Sequence, residues 1–381
     1  MRKAVLLIVL SLISVVARPA HADGLELLPS EPDWFMSMAA NVNENNTVVG
    51  SYSTDGIDLL PVLWAGGGDY TDILTTYGTP FAYLGGQALG INDSGVISGS
   101  AYQGENWWDP AHAMLWNQSG LAFEDLHPAG YEHSLAFDVN NSGATIGRVM
   151  DVDFYSWAYM WDADGTERLL TPLGADPYSE STALNNAGYG TGRSLDAGWN
   201  DRAVVWAPDG TPIDVHALLP AGTTRSAAMD INEDNVAAGF GVDASGEFFA
   251  WTWKVGDATV TILDAGPLGD GVISGIGGAF AAGKVGPLDW RTPTPDTVFG
   301  VIWHNGTRRV FNPLAGFGNT YFEGVNGQGV AVGYSVYEGG IGIFGDGGRA
   351  IIASPVPEPG TLALFAAAFV FVLLVRRLRR A

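Results

Sequence analysis

Eight consecutive residues carry the clearest ligand chemistry in this sequence: Tyr102-Gln103-Gly104-Glu105-Asn106-Trp107-Trp108-Asp109. Two indoles stand side by side among polar and acidic groups. Neighbouring side chains on an extended segment point to opposite sides, so one ring can pack inward while the other faces solvent. A flat apolar ring beside Glu105, Asn106 and Asp109 suits the face of a sugar, with polar groups left for its hydroxyls. Trp107, Trp108, Glu105 and Asp109 are therefore the candidate ligand contacts. Other aromatics recur in loop stretches, among them Trp34, Tyr77, Phe154, Tyr155, Tyr178 and Trp199. They suit sugar or protein contacts, or equally the filling of gaps between repeating units.

Signatures of catalysis are missing from the sequence. It has no Gly-x-Ser-x-Gly elbow, no His-Glu-x-x-His zinc motif and no phosphate-binding Gly-rich loop. Beyond residue 22 the histidines are His112, His127, His133, His216 and His304, none paired at a metal-ligand spacing. His127 and His133, six apart, are a weak pair for a metal. Carboxylates are abundant, so a glycosidase pair stays open; its mark would be two or three acids around a central channel, on the face that carries the long loops. Asp151-Val152-Asp153 and Asp162-Ala163-Asp164-Gly165 are fragments of a calcium loop. Hairpin turns explain them better, and no metal site is assigned; Ca2+ is the one cofactor with any support.

The elements that must position these residues are repeats. An apolar residue and Asn are followed three residues on by Gly or Asn, and four further on by Gly. The Asn residues are Asn43, Asn92, Asn140, Asn185, Asn232 and Asn326, at intervals of 49, 48, 45, 47 and 94. The last interval is two periods, and the degenerate copy at 274–283 puts Ile276 at the Asn position. Three after each Asn stand Asn46, Gly95, Gly143, Gly188, Asn235 and Gly329. Gly and Asn best tolerate a left-handed backbone, as a type I turn with a bulge requires. About 21 residues later comes a second mark, a small or apolar residue three before a Trp: Trp64, Trp116, Trp161, Trp206, Trp253 and Trp303. Such repeated rings are most simply core between units. A further strand follows, as at 213–219. Four strands, A to D, in about 45 residues predict an all-β propeller of about seven four-stranded blades. The last unit lacks its own D strand, and residues 25–28 can supply it and close the ring.

The two ends carry addresses. Arg2 and Lys3, an apolar run at 4–16 and Ala20-His21-Ala22 read as a signal peptide over residues 1–22. The repeats fill residues 23–354. Residues 355–381 hold Val356-Pro357-Glu358-Pro359, an apolar run at 362–375 and Arg376, Arg377, Arg379 and Arg380. Fourteen apolar residues span only ~21 Å as a helix, short of the ~30 Å hydrocarbon core, so the expected transmembrane sorting helix needs snorkelling Arg side chains. The Arg cluster should stay cytoplasmic and leave the repeats outside. Without both termini the chain keeps 11 basic and 40 acidic residues, a net charge of −29. That disfavours nucleic acid as a partner. The absence of Cys excludes disulfides and thiol chemistry.

The C-terminal pattern resembles the PEP-CTERM sorting domain of Gram-negative bacteria, and the repeats are similar to HAF-type extracellular repeats. The first resemblance implies recognition by an exosortase, transient anchoring in the inner membrane, and delivery to the cell surface or the extracellular polysaccharide matrix of biofilms. Neither brings a catalytic residue. The sequence therefore reads as a secreted, non-catalytic binding or structural propeller, with polysaccharide as a candidate partner. The rivals are a propeller-type glycoside hydrolase or lyase and a calcium-dependent adhesin.

Overall fold

The structure is a computed structural model that describes residues 24–65, 69–82, 85–104, 109–288, 298–338 and 347–354. The expected signal peptide, Glu105, Trp107, Trp108, the four residues of the Val-Pro-Glu-Pro run, the apolar run and the terminal Arg cluster lie outside the described residues. No described helix is long and apolar enough to cross a membrane.

The fold is all-β and antiparallel. Five sheets have four strands each, and a sixth has eight. The eight-stranded sheet divides into two four-stranded units joined by one parallel bridge, Met36 to Gly348. Seven units result among the described residues, and six of them are built of four strands in sequence order. In the first these are Met36–Val42, Val48–Ser53, Leu60–Trp64 and Tyr70–Asp72.

The A–B turn follows the sequence logic. Asn46, Gly95, Gly143, Gly188, Asn235 and Gly329 all have positive φ, between 58° and 90°. The Asn side chain does two jobs. Its Oδ1 accepts from the backbone within the turn, as when Asn140 takes Ser142 N and Ala144 N. Its Nδ2 donates to the Asn carbonyl of the next unit: Asn43 to Asn92, Asn92 to Asn140, Asn140 to Asn185, Asn185 to Asn232, at 2.9–3.1 Å. Asn232 donates to Gly278 O, and Asn326 returns to Asn43 O. These buried amides thus run around the units as well as capping each hairpin.

The sixth unit corrects the sequence reading. Ile276 pairs with Ala281 as Ile231 pairs with Ala237, so Ile276 holds the apolar position and Gly277 the Asn position. Its hairpin is one residue shorter, which shifts the count by one. The backbone of Asn326 packs so closely on Gly277 that any Cβ there would clash.

Each of the six Trp residues is at most 6% exposed. Five donate their indole N–H to a carbonyl of the preceding unit's outer segment or, for the first unit, of the N-terminal run: Trp64 to Pro29, Trp116 to Gly78, Trp161 to Leu126, Trp206 to Thr171 and Trp303 to Asp264. They are core between units, stitched by a hydrogen bond. Trp253 differs and donates to Asp257 in its own C–D turn.

The last unit takes its fourth strand from the N-terminus. Strand Leu25–Leu27 pairs antiparallel with Gly348–Ala353, Leu25 opposite Ala353. Ala353 holds the position of the repeated Trp, and Leu25, 1% exposed, helps fill the space. The D segments also depart from expectation. The run 213–219 is strand only over Pro212–Asp214; a 3-10 turn at His216–Leu218 follows, with Asp214 accepting from Ala217 N. A short helix, Ile73–Tyr77, capped by Asp72, interrupts the first unit's outer edge.

Candidate functional site: the channel and the long-loop face

The A strands surround a central cavity of ≈ 610 Å³. Every A strand carries a β-bulge two to four residues before its Asn position. A bulge turns two successive residues to one side. Successive residues such as Phe137 and Asp138 therefore both line the cavity, as do Met229 and Asp230.

Four acids face this space: Asp138, Asp230, Glu180 and Glu323. Asp138 accepts from its own Val139 N and from Leu184 N of the next unit, each at 2.9 Å. Asp230 does the same with Ile231 N and Ile276 N at 2.7 Å. These two carboxylates are latches between neighbouring units. Burial pushes Asp138 up to about 6 and Asp230 to about 7, against the pull of those N–H donors. Glu180 receives Arg148 at 2.8 Å, Ser156 at 3.0 Å and Arg193 through Nε at 2.9 Å. Burial opposes its charge, but the two guanidinium groups outweigh that and lower its pKa. Glu323 is raised by burial, which Lys284 and Ser274 only partly oppose. Acids near 6–7 are in range for general acid–base work. Here, however, both oxygens of Asp138 and Asp230 are held by backbone N–H groups.

The sign of the pH dependence follows. A carboxyl raised on folding holds its proton more tightly in the folded chain. Its stabilisation is complete below the unfolded value of 3.8 and is lost as pH rises through about 7. Asp230→Asn should reduce the fall in unfolding free energy between pH 4 and pH 8 by about 1–2 kcal/mol, discounted for water in the cavity. The variant should also lose one of the two backbone hydrogen bonds, from Ile231 N or Ile276 N, because its amide nitrogen cannot accept. Urea unfolding across that range measures both effects; a pH slope equal to the parent's would show that Asp230 is ionised throughout.

Three of the histidines, His112, His127 and His133, lie near one another. His112 and His127 stack at 3.9 Å. His112 meets Asp125 at 2.9 Å, while His127 meets the Ser134 hydroxyl and the Tyr131 carbonyl. His133 accepts from Ala111 N. Burial first, and His112 second, hold His127 below its ordinary pKa. Among the described residues no group of three His, Asp or Glu could hold a metal ion. Asp151 and Asp162 begin tight turns: Asp151 Oδ1 accepts from Asp153 N and Tyr155 N, and Asp162 N donates to Thr166 O.

The long B–C and D–A loops share the opposite face from the Asn turns. Of the candidate ligand contacts only Asp109 is described, with its carboxylate packed over Gly104. The other loop aromatics divide. Trp34, 4% exposed, stacks on Tyr52 at 4.0 Å, and Tyr77 is buried in the short helix; both are gap fillers. Phe154, Tyr155 and Trp199 are instead exposed, at 51%, 37% and 55%. The sequence places them in loops but does not single them out above Trp107 and Trp108.

Four-stranded antiparallel units in cyclic contact around a cavity define a propeller-type, all-β protein. Its C-terminus matches the PEP-CTERM protein-sorting motif over residues 355–380. No curated protein matches the chain. Among solved structures it is similar to the β-propeller domain of the Trilobed protease from Pyrococcus furiosus, with 9% identity over 79% of this chain and 91% of that one, at a TM-score of 0.52. It is also similar to oligogalacturonate lyase from Vibrio parahaemolyticus, with 10% identity over 88% and 97%, at 0.52. TolB from Acinetobacter baumannii aligns at 11% identity over 72% of this chain, which spans 62% of that protein, at 0.46. At such identities the likeness is one of fold.

Proposed function

We propose that this chain is an exosortase-processed surface or matrix protein whose seven-bladed, ring-closed propeller binds sugar polymer without transforming it. The sorting motif at 355–380 carries the reading: it implies export and delivery to the cell surface through an exosortase. The non-catalytic part is supported by the channel, where Asp138, Asp230 and Glu180 are already engaged by backbone N–H groups or Arg side chains. The binding part is supported by exposed rings on the long-loop face.

The address is tested by removing residues 376–381 in a cell that supplies the exosortase. The full chain should yield a shortened product at the surface. The truncated chain should lose retention in the inner membrane and remain unprocessed, because a terminal Arg cluster favours the cytoplasmic side. Equal surface delivery of both would refute the sorting role. Incubating the purified chain with neutral and acidic polysaccharides tests the rest: binding without release of oligosaccharides is expected, and depolymerisation would favour a hydrolase or lyase.

A further inference from the structure

Three neighbouring B–C loops use one turn. Asp151, Asp196 and Asp243 each place Oδ1 on two backbone N–H groups ahead, two and four residues on. The fourth residue in each donates back to the Asp carbonyl: Phe154, Trp199 and Gly246. All three have positive φ, at 63°, 61° and 94°. The turn therefore prefers glycine at this position, as in the third copy. A bulky ring held in a left-handed backbone costs stability, and such positions concentrate at functional sites.

The rings are arranged as a platform. Tyr178 stacks on Tyr155 at 4.8 Å and on Trp199 at 4.8 Å, with planes within 16°. Tyr155 and Trp199 are 6.2 Å apart and 18° from parallel. Rings on opposite faces of Tyr178 would be farther apart than that, since each stacked layer takes up roughly 3.5 Å. Tyr155 and Trp199 therefore lie side by side on one face of Tyr178. They form a nearly flat, two-ring surface across the third and fourth units. A groove of ≈ 570 Å³ opens beside it, lined by Trp199, Asn200, Thr224, Arg225, Asp243 and Ser245. Within that groove Arg225 is ion-paired with Asp201.

The geometry points to Tyr155 and Trp199 as a stacking site for a neutral, β-linked polysaccharide with gluco configuration. This deepens the sugar-binding reading above and rests on it. A sugar ring with all its hydroxyls equatorial presents axial C–H groups on both faces, and those faces suit a flat aromatic surface. Its hydroxyls then reach the amide, hydroxyl and carboxylate groups of the groove. A chain with a net charge of −29 between its two terminal segments repels an anionic polymer, which selects the neutral one.

The test is affinity electrophoresis of the full chain in detergent, through gels containing hydroxyethylcellulose, dextran or polygalacturonate. Retardation by hydroxyethylcellulose is expected. Trp199→Gly removes the ring and relieves the left-handed backbone, so its melting temperature should be equal or higher while its affinity falls about tenfold or more. Tyr155→Ala should lose affinity likewise, and Trp199→Phe should keep most of it. If the parent is retarded and Trp199→Gly is retarded equally, the platform is not the site, and the sugar-binding reading survives. If none of the three polymers retards the parent, that reading falls and the platform with it.

Discussion

Removing residues 23–30 while keeping residues 1–22 should destabilise the folded chain by about 5 kcal/mol. Leu25 and Leu28 are 1% and 7% exposed, and each buried Leu is worth about 1.5–3 kcal/mol. The backbone bonds from Leu28 N to Ala350 O and from Ser354 N to Gly24 O disappear with the strand. The indole of Trp64 also loses its acceptor, the Pro29 carbonyl, at about 1 kcal/mol. Strand Gly348–Ala353 then presents a bare edge, which recruits other chains. Denaturant titration should show a lower midpoint together with concentration-dependent aggregation. A synthetic peptide of residues 23–30, added in excess, should restore part of the loss by strand addition. A shortened chain that unfolds at the parent's midpoint and stays monomeric would mean that the last unit is complete without its fourth strand.

That strand was legible because a periodic sequence shows what it lacks. Seven inner hairpins and a last unit without a D strand leave one slot and one spare run. The left-handed turn positions were equally legible, since only Gly and Asn occupy Asn46, Gly95 and their counterparts. The contacts between units were not. Asp138 reaches Leu184 N and Asp230 reaches Ile276 N, and a backbone N–H leaves no mark on residue type. The recurrence of Asn41, Asp138 and Asp230 two residues before the motif Asn was the available signal. Ile276 was misplaced because a hairpin shortened by one residue shifts the count without changing composition. Trp199 was passed over for Trp107 and Trp108 because a paired indole is conspicuous in one dimension. A side-by-side pair drawn from two loops and supported by Tyr178 exists only once the units are packed.

The second glycine of each repeat supplies the sharpest contrast between two reasons for the same residue. Gly143 sits at φ 90° with open space around it, the nearest atom being Ala163 Cβ at 4.0 Å. Its requirement is conformational, and Gly143→Val should cost about 2 kcal/mol through backbone strain. Gly239, in strand Val236–Val242, has an ordinary strand backbone, but a Cβ added there would overlap the carbonyl oxygen of Ala227. The same holds in all seven units, where Gly50, Gly99, Gly147, Gly192, Gly239, Gly283 and Gly333 face the carbonyl just before the A-strand bulge. The bulge pushes that carbonyl towards the neighbouring strand, and only a residue without a side chain can stand there. Gly239→Ala must therefore move the backbone that carries Asp230 and the channel wall, at about 3 kcal/mol or more. Ser142→Ala, which removes one hydroxyl from the Asn140 turn, should cost less than 1 kcal/mol. Equilibrium unfolding of the three variants ranks them. If Gly239→Ala proves milder than Gly143→Val, the bulged strand yields to a methyl group, and the repeat keeps its second glycine for some reason other than the close carbonyl.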